Sequence, residues 1–209
     1  MHRRYFSIEL IKLILLPCLP LFISACVSLS KVPPLGDAQP LWEARSEYLY
    51  SQNNWRAQMS LLGMDGEQKF KTRADWTQKN DSYQIKLRDF IGRTIAIVDG
   101  QPLAVEVKTS KGQHYQGDNA EALINELFAI NIPVSGMRYW LQGVPVPEQP
   151  VDRVILNAEG LAESISQQGW EITYPHYQFN EPYKMPGHVQ LEFENIKLSV
   201  KITEWVLTL

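Results

Sequence analysis

The residue best placed for covalent chemistry is Cys26, which ends the run Ile23-Ser24-Ala25-Cys26. An aliphatic residue, two small residues and a cysteine match the pattern of a bacterial lipobox, where the chain is cut before the cysteine. The thiol then carries a diacylglyceryl thioether, and the new amino group carries a fatty-acyl amide. The alternative is an ordinary secretory signal cut after Ala25, because this position also has the small residues of a cleavage site.

The segment before Cys26 has the composition of a secretory signal peptide. Its start is basic, and residues 13–23 form an apolar run far shorter than the ~20 residues of a membrane-spanning helix. Val27 follows the cysteine instead of the aspartate that usually marks inner-membrane retention, which favours the outer membrane. We expect three parts: a signal peptide over residues 1–25, the lipidated cysteine and a flexible tether over residues 26–40, and a folded domain over residues 41–209.

The rest of the chain lacks a cluster of residues that would support catalysis or hold a metal. The three later histidines, His114, His176 and His188, have neither zinc-type spacing nor a cysteine partner. Ser135-Gly136 lacks the glycine frame of a nucleophile elbow. Strand carboxylates such as Glu106 are expected to be solvated. The sequence therefore predicts no enzyme, no catalytic residue, no metal site and no cofactor.

The charge balance limits the class of partner. The signal peptide removes three basic residues and one acid from totals of 20 and 23, so the mature chain carries a formal charge of about −5. This charge argues against nucleic acid or an anionic surface as the main partner. Cys18 leaves with the signal and Cys26 is lipidated, so no disulfide is expected and the hydrophobic core alone must stabilise the domain.

Alternation of apolar and polar residues predicts antiparallel strands that are solvated on one face. The apolar positions of these strands are Trp55, Ala57, Met59 and Leu61; Phe70, Thr72, Ala74 and Trp76; Tyr83, Ile85 and Leu87; Leu103, Val105 and Val107; Trp170, Ile172 and Tyr174; Val189, Leu191 and Phe193; and Ile196, Leu198, Val200 and Ile202. Turns are expected at Asp65-Gly66, Asn80-Asp81 and Asp99-Gly100.

Three short helices interrupt this pattern, over residues 41–50, 118–128 and 135–141. Asp118 and Glu121 have the spacing of a capping box at the start of the second helix. The sequence thus predicts a mainly β meander of ten or more strands. Such a sheet can close as a barrel, pair into a sandwich, or curl under helices, and the pattern does not choose between these.

Several strings, in order across residues 40–206, resemble the LolB family of outer-membrane lipoprotein receptors. They are Tyr83-Gln-Ile-Lys-Leu-Arg-Asp-Phe-Ile-Gly-Arg-Thr94, Ile132-Pro-Val134, Met137-Arg-Tyr-Trp-Leu-Gln-Gly143 with Pro145, Gln168-Gly-Trp170, Tyr174, Met185-Pro186 and Ile202-Thr-Glu-Trp205. The resemblance implies an incomplete antiparallel β-barrel of about eleven strands, covered by a few short α-helices, with a hydrophobic cavity between them.

The resemblance also implies transport without catalysis. A LolB-like protein accepts lipoproteins from the periplasmic carrier LolA and inserts their acyl chains into the inner leaflet of the outer membrane, without nucleotide hydrolysis. The implied partners are a LolA-like carrier, acylated lipoproteins and outer-membrane phospholipid, and the implied form is a monomer anchored in the outer membrane of a Gram-negative bacterium, facing the periplasm. The alternative is a lipid-anchored binding module for another hydrophobic ligand, or an envelope assembly factor.

Two sets of residues are candidates for this function. In the family, the loop matching Phe90-Ile91-Gly92 projects an apolar residue, usually leucine, that matters for delivery into the membrane, and Ile91 occupies that position. The alternative for Ile91 is a buried strand residue beside a glycine turn. The candidate lining of an acyl-chain cavity, for which plain core packing is the alternative, is Met59, Leu61, Trp76, Ile85, Leu87, Val105, Leu191, Leu198 and Val200.

Overall fold

The computed structural model describes residues 35–178 and 182–207, which belong to one compact unit, Pro33–Leu209. The predicted signal peptide, Cys26 and most of the predicted tether lie outside the described residues. Within the described part of the chain, no helix has the length and apolar character needed to cross a membrane.

The predicted β meander is confirmed as one antiparallel sheet of eleven strands, accompanied by three helices. The strands are β1 (Asn54–Asp65), β2 (Gln68–Lys79), β3 (Ser82–Arg88), β4 (Thr94–Gln101), β5 (Ala104–Thr109), β6 (His114–Gly117), β7 (Arg153–Leu156), β8 (Ala162–Gln167), β9 (Trp170–Gln178), β10 (Met185–Phe193) and β11 (Ile196–Leu207). The helices are α1 (Leu35–Ser51), α2 (Ala120–Phe128) and α3 (Val134–Trp140).

Two meanders, β1–β6 and β7–β11, are joined where the first and last strands pair, so that Leu61 lies opposite Val200. The sheet order is β6-β5-β4-β3-β2-β1-β11-β10-β9-β8-β7, which leaves β6 and β7 as edges. These two edge strands follow each other in the chain, and α2 and α3 lie in the connection between them. The sheet is therefore an incomplete barrel, and its missing pairing is replaced by a helical connection.

The inner face of the sheet forms the core because side chains alternate between the two faces of each strand. In β1, Trp55, Ala57 and Met59 are all buried, whereas the residues between them are more exposed. The Trp55 ring centroid lies 5.5 Å from that of Trp76 and 5.4 Å from that of Trp205. These three tryptophans join β1, β2 and β11 and add ring–ring contacts to their large buried area.

A buried glutamine ties α3 to the second meander. Gln167, at the end of β8, is fully buried, and its Oε1 accepts hydrogen bonds from Trp140 Nε1 at 2.9 Å and from the Val146 amide at 2.8 Å. Its Nε2 donates to the Val146 carbonyl at 2.9 Å. A buried amide is stable only when its polar atoms are paired, so this network fixes the α3–β7 connection on the sheet.

The first helix begins at Leu35, so the prediction of a flexible tether up to residue 40 is wrong for residues 35–40. Pro40 lies inside the helix, although proline normally breaks one. Tertiary packing compensates: Gly160, at φ +70°, would place a Cβ only 2.6 Å from Leu41 Cβ and 2.8 Å from the Ala38 carbonyl oxygen. The helix therefore lies directly on the β7–β8 turn, a contact that local sequence does not reveal.

Two local predictions are also corrected. Asp99-Gly100 lies within β4 and does not form a turn. The Tyr83 ring packs across Gly100, and a Cβ on this residue would lie only 2.1 Å from the ring. The cap of α2 is Asn119 and not Asp118, since Asn119 Oδ1 accepts from the Ala122 amide at 2.7 Å. Four strands, β4, β6, β7 and β8, were not among those that alternation predicted.

Candidate functional site

An apolar cavity of about 200 Å³ lies between the inner face of the first meander and the helical connection. β1–β4 supply its sheet side, and α2, the segment 129–133 and the start of α3 supply the other side. Among its lining residues only Lys71 and Thr72 are polar. A lining of this kind binds aliphatic or aromatic matter and offers almost no hydrogen bonds to a polar ligand.

The covering side of the cavity, residues 120–137, is here named the cover. It contributes Ile124 and Phe128 from α2, Ile130 and Ile132 from the connecting segment, and Val134 and Met137 from α3. The helix α2 forms here because Asn119 caps its start and its buried residues, Ala120, Leu123 and Ile124, share one face.

The cover is attached to the sheet at its middle by exposed polar contacts. Asp65 Oδ2, at the β1–β2 turn, accepts from the Asn131 amide at 3.2 Å and from Asn131 Nδ2 at 2.8 Å. Gln68 Nε2 of β2 donates to the Phe128 carbonyl at 3.3 Å. Within the cover, Glu121 Oε1 of α2 accepts from the Ser135 amide of α3 at 2.8 Å. Water can replace exposed bonds of this type at small net cost, so they suit a cover that opens.

The size of the cavity sets a limit on what it holds in this conformation. A dry cavity of about 150 Å³ accommodates one benzene molecule, and pockets for drug-sized ligands span roughly 300–1,000 Å³. The volume of about 200 Å³ is therefore too small for several acyl chains. Such chains could enter only if the cover moves away from the sheet.

Five of the nine predicted cavity residues line this space: Met59, Leu61, Trp76, Ile85 and Leu87. The other four, Val105, Leu191, Leu198 and Val200, are buried in the core and do not line it. All nine lie on inner-face positions, as alternation predicts. The difference is that this apolar cavity lies over β1–β4, and alternation carries no information about where a covering segment sits.

The sequence did not single out the covering residues. Ile124 and Phe128 belong to a predicted apolar stripe, and the aliphatic run Ile130, Ile132 and Val134 was readable but gave no helical or strand period. On the sheet, Phe70, Ala74, Ile95 and Val98 also line the cavity. A run of aliphatic residues between two helices was thus the available signal for the cover.

The β3–β4 connection, Asp89–Arg93, forms a projecting loop that is here named the tip. Asp89 Oδ1 accepts from the Ile91 amide at 3.0 Å and from the Arg93 amide at 2.9 Å, and Asp89 Oδ2 accepts from Arg93 Nε at 2.7 Å. Partial desolvation raises the pKa of Asp89, but the hydrogen bonds and the charge of Arg93 outweigh it and hold this pKa below its usual range. Gly92 has a φ of +90°, a backbone conformation that is strained for any residue with a side chain.

The tip presents two large apolar side chains to solvent. Phe90 is 76 % exposed and Ile91 is 61 % exposed, which excludes the alternative of a buried strand residue for Ile91. The tip starts two residues after Leu87 and ends two residues before Ile95, and both of these residues line the cavity. A rigid apolar projection therefore rises from the rim of the apolar cavity.

Comparison with known proteins gives consistent results across nearly the whole chain. A family model described as "Outer membrane lipoprotein LolB" matches residues 53–205. A protein from Nitrosococcus oceani named "Outer-membrane lipoprotein LolB" is 30 % identical over 201 residues, covering 96 % of each chain. A protein of the same name from Alkalilimnicola ehrlichii is 28 % identical over 187 residues, covering 90 % of this chain and 92 % of its own.

A similar fold occurs in solved structures of low sequence identity. The crystal structure of a LolA superfamily protein from Nitrosomonas europaea superposes with a TM-score of 0.51 at 10 % identity, covering 82 % of this chain and 94 % of its own. At this identity the likeness concerns the fold alone: a curved antiparallel sheet with helices against one face.

Proposed function

The chain belongs to the LolB family of outer-membrane lipoproteins, a non-enzymatic family of lipoprotein localisation, and we propose that it takes acylated lipoproteins from a LolA-like periplasmic carrier and inserts their acyl chains into the inner leaflet of the outer membrane. No nucleotide hydrolysis takes part in this transfer. The observation that carries the proposal is the apolar cavity under the cover, with the exposed tip at its rim.

The physical problem of the transfer is to keep acyl chains out of water. Three chains of ordinary length hold on the order of 40 methylenes, at ~0.8 kcal/mol each, so free exposure costs some tens of kcal/mol. The aliphatic and aromatic lining supports a role in shielding the chains, because it replaces water with apolar surface. The opening of the cover would give the extra volume that the chains require.

The tip is proposed to deliver the cargo to the membrane. Phe90 and Ile91 are mostly exposed and make few contacts with the rest of the domain. Their transfer into a bilayer surface therefore lowers the free energy without disturbing the sheet. The Asp89 hydrogen bonds hold the tip in one shape, and Leu87 and Ile95 connect it to the cavity rim. Chains that leave the cavity beside the tip then meet lipid and not water.

Membrane attachment and orientation are part of the proposal. Lipidation of Cys26 after removal of residues 1–25 anchors the chain in the outer membrane, and the domain faces the periplasm, where it meets the carrier as a monomer. Several acyl chains on one cysteine make such an anchor effectively permanent. Mass spectrometry of the protein extracted from membranes tests this, since an unmodified chain that begins at Cys26 would contradict it.

A two-stage transfer assay tests the proposed function. Soluble protein lacking residues 1–26 is mixed with a LolA-like carrier that holds a radiolabelled lipoprotein, and liposomes are then added. We expect label to move first to this protein and then to the liposomes, without nucleotide. Failure to take up label over a wide range of concentrations would refute the proposal.

The volume of the cavity favours a second candidate function, the binding of one small hydrophobic ligand. A space of about 200 Å³ fits such a ligand without any movement of the cover. Extraction of the purified protein followed by mass spectrometry separates the two candidates. A stoichiometric small hydrophobe, together with no uptake of lipoprotein, would favour the second.

A further inference from the structure

A groove on the outer face of the sheet is rich in arginine and adjoins the tip. It is lined by Arg56, Arg73 and Arg88 together with Gly92 of the tip and with uncharged residues of β1 and β11. The only carboxylate in its lining is Asp75, which leaves an excess of two positive charges. This concentration of positive charge contrasts with a chain whose formal charge is −3.

The arginines of the groove are only partly neutralised by the protein itself. Arg88 Nη2 lies 2.7 Å from Asp75 Oδ2, while its buried Nε has no hydrogen-bond partner. Arg56 Nη2 lies 3.9 Å from Glu204 Oε2, and both side chains are about half exposed, which makes this pair weak. Arg73 makes no ion pair with any residue that the structure describes.

The register of the sheet places two of these arginines side by side. Arg73 in β2 is directly opposite Arg88 in β3, and like charges in directly opposite positions repel and destabilise a strand pair. An anion held between the two guanidinium groups would relieve this repulsion. Guanidinium groups bind phosphate oxygens through paired N–H donors, so a phosphate is the anion that fits best.

We propose that this arginine groove binds the phosphate of an anionic phospholipid headgroup. The inference rests on the proposed contact of the tip with the membrane, because Gly92 belongs both to the tip and to the groove lining. When Phe90 and Ile91 enter the bilayer surface, the groove comes to the depth of the headgroups. The groove then sets the orientation of the domain on the membrane, while the tip supplies the apolar contact.

Vesicle binding by the soluble domain tests the groove separately from the tip. The domain is titrated with phosphatidylcholine vesicles and with vesicles that also contain phosphatidylglycerol, and the ratio of the two dissociation constants reports the groove. Each basic residue near an anionic surface contributes about five-fold in affinity. Arg73→Gln should therefore reduce the preference for phosphatidylglycerol about five-fold, and Arg73→Gln with Arg88→Gln about 25-fold. Arg73→Lys keeps the charge but loses the paired N–H donors, so it should retain only part of the preference.

The matched control is Lys79→Gln, which removes one exposed positive charge at the far end of β2, outside the groove. An equal loss in Lys79→Gln and Arg73→Gln would overturn the inference, as would equal affinity of the unmodified domain for both vesicle types. Full competition by stoichiometric glycerol phosphate would overturn the lipid assignment in favour of a soluble anion. Ile91→Ser, which removes the apolar side chain without adding a charge, should weaken binding to both vesicle types equally. Unchanged binding of that variant to phosphatidylcholine vesicles would count against the tip proposal and leave the test of the groove intact.

Discussion

Replacing Ile91 by glutamate should separate lipoprotein uptake from lipoprotein release. Full burial of an isoleucine side chain is worth about 1.5–3 kcal/mol. Since Ile91 is 61 % exposed, its insertion contributes about 1–2 kcal/mol, and its loss lowers partitioning into a bilayer about 5–30-fold. The glutamate carboxylate raises this factor further, because it must lose water to enter the interface. The cavity lining is untouched, so uptake should stay within about two-fold of the unmodified domain.

The assay follows radiolabel in two steps, from the carrier to the domain and from the domain to liposomes. The matched control is Leu103→Glu, which places the same charge on an aliphatic residue that is 85 % exposed at the β4–β5 turn. Consecutive hairpin connections of a meander lie at opposite ends of the sheet, so this turn is remote from the tip. Equal insertion by the Ile91→Glu variant and the unmodified domain, or an equal defect in both variants, would refute the role of the tip.

Three further perturbations probe the cavity, the cover and the tip. Ala74→Phe should fill part of the cavity and reduce lipoprotein uptake at least several-fold while circular dichroism stays unchanged; normal uptake would show that cargo binds elsewhere. Asn131→Ala removes the side-chain hydrogen bond to Asp65, at about 1 kcal/mol, and should speed hydrogen exchange in the cover about five-fold; unchanged exchange would mean that this contact does not hold the cover. The lowered pKa of Asp89 means that its ionised form stabilises the tip above the ordinary aspartate range and that this support is lost as the pH falls through the depressed pKa. Asp89→Ala should therefore speed exchange of the Ile91 and Arg93 amides even at neutral pH, and slow exchange of both amides in that variant would contradict this.

Periodicity predicted seven of the eleven strands, because burial on one face imposes a period of two on a strand. It predicted the inner face of β1, where Trp55, Met59 and Leu61 are buried, without any knowledge of the neighbouring strands. The pairing of β1 with β11 joins residues more than 130 positions apart, such as Leu61 and Val200, and no local pattern encodes such a pairing. The number of strands and the open sheet came from the family resemblance and not from the pattern.

The errors arose where tertiary contact decides local structure. The segment up to residue 40 was predicted as a flexible tether, yet α1 begins at Leu35 and includes Pro40, because the helix packs on the turn at Gly160. Asp99-Gly100 reads as a turn, yet Gly100 stays in β4 because the Tyr83 ring needs the space that a Cβ would take. In each case a glycine provides close approach to another element, and local sequence cannot distinguish that use from a turn.

Alternation predicted which residues face the inside of the sheet, but not which region of the sheet borders the cavity. Leu191 and Val200 have the same alternation and burial as Met59 and Leu61, but only the latter two face the cavity. What separates them is the position of the cover, and that position follows from the unpaired edges of β6 and β7. The exposure of Ile91 was predicted from the family resemblance, which places an apolar residue just before the glycine of this loop, and not from a local pattern.

The attachment of the cover and the hydrophobicity of the cargo can be compared in the same units. Four exposed hydrogen bonds join the cover to the β1–β2 hairpin or bind its two helices together, and at about 0.5–1.5 kcal/mol each they total roughly 2–6 kcal/mol. At ~0.8 kcal/mol per methylene, between about three and eight buried methylenes offset that sum. One acyl chain of ordinary length therefore offsets the hydrogen bonds of the cover. Opening has a further cost, because Ile124, Val134 and Met137 of the cover are buried. In the proposed transfer, the same bonds would re-form when the chains leave for the bilayer, and the cover would close over a cavity too small to take the chains back without opening again.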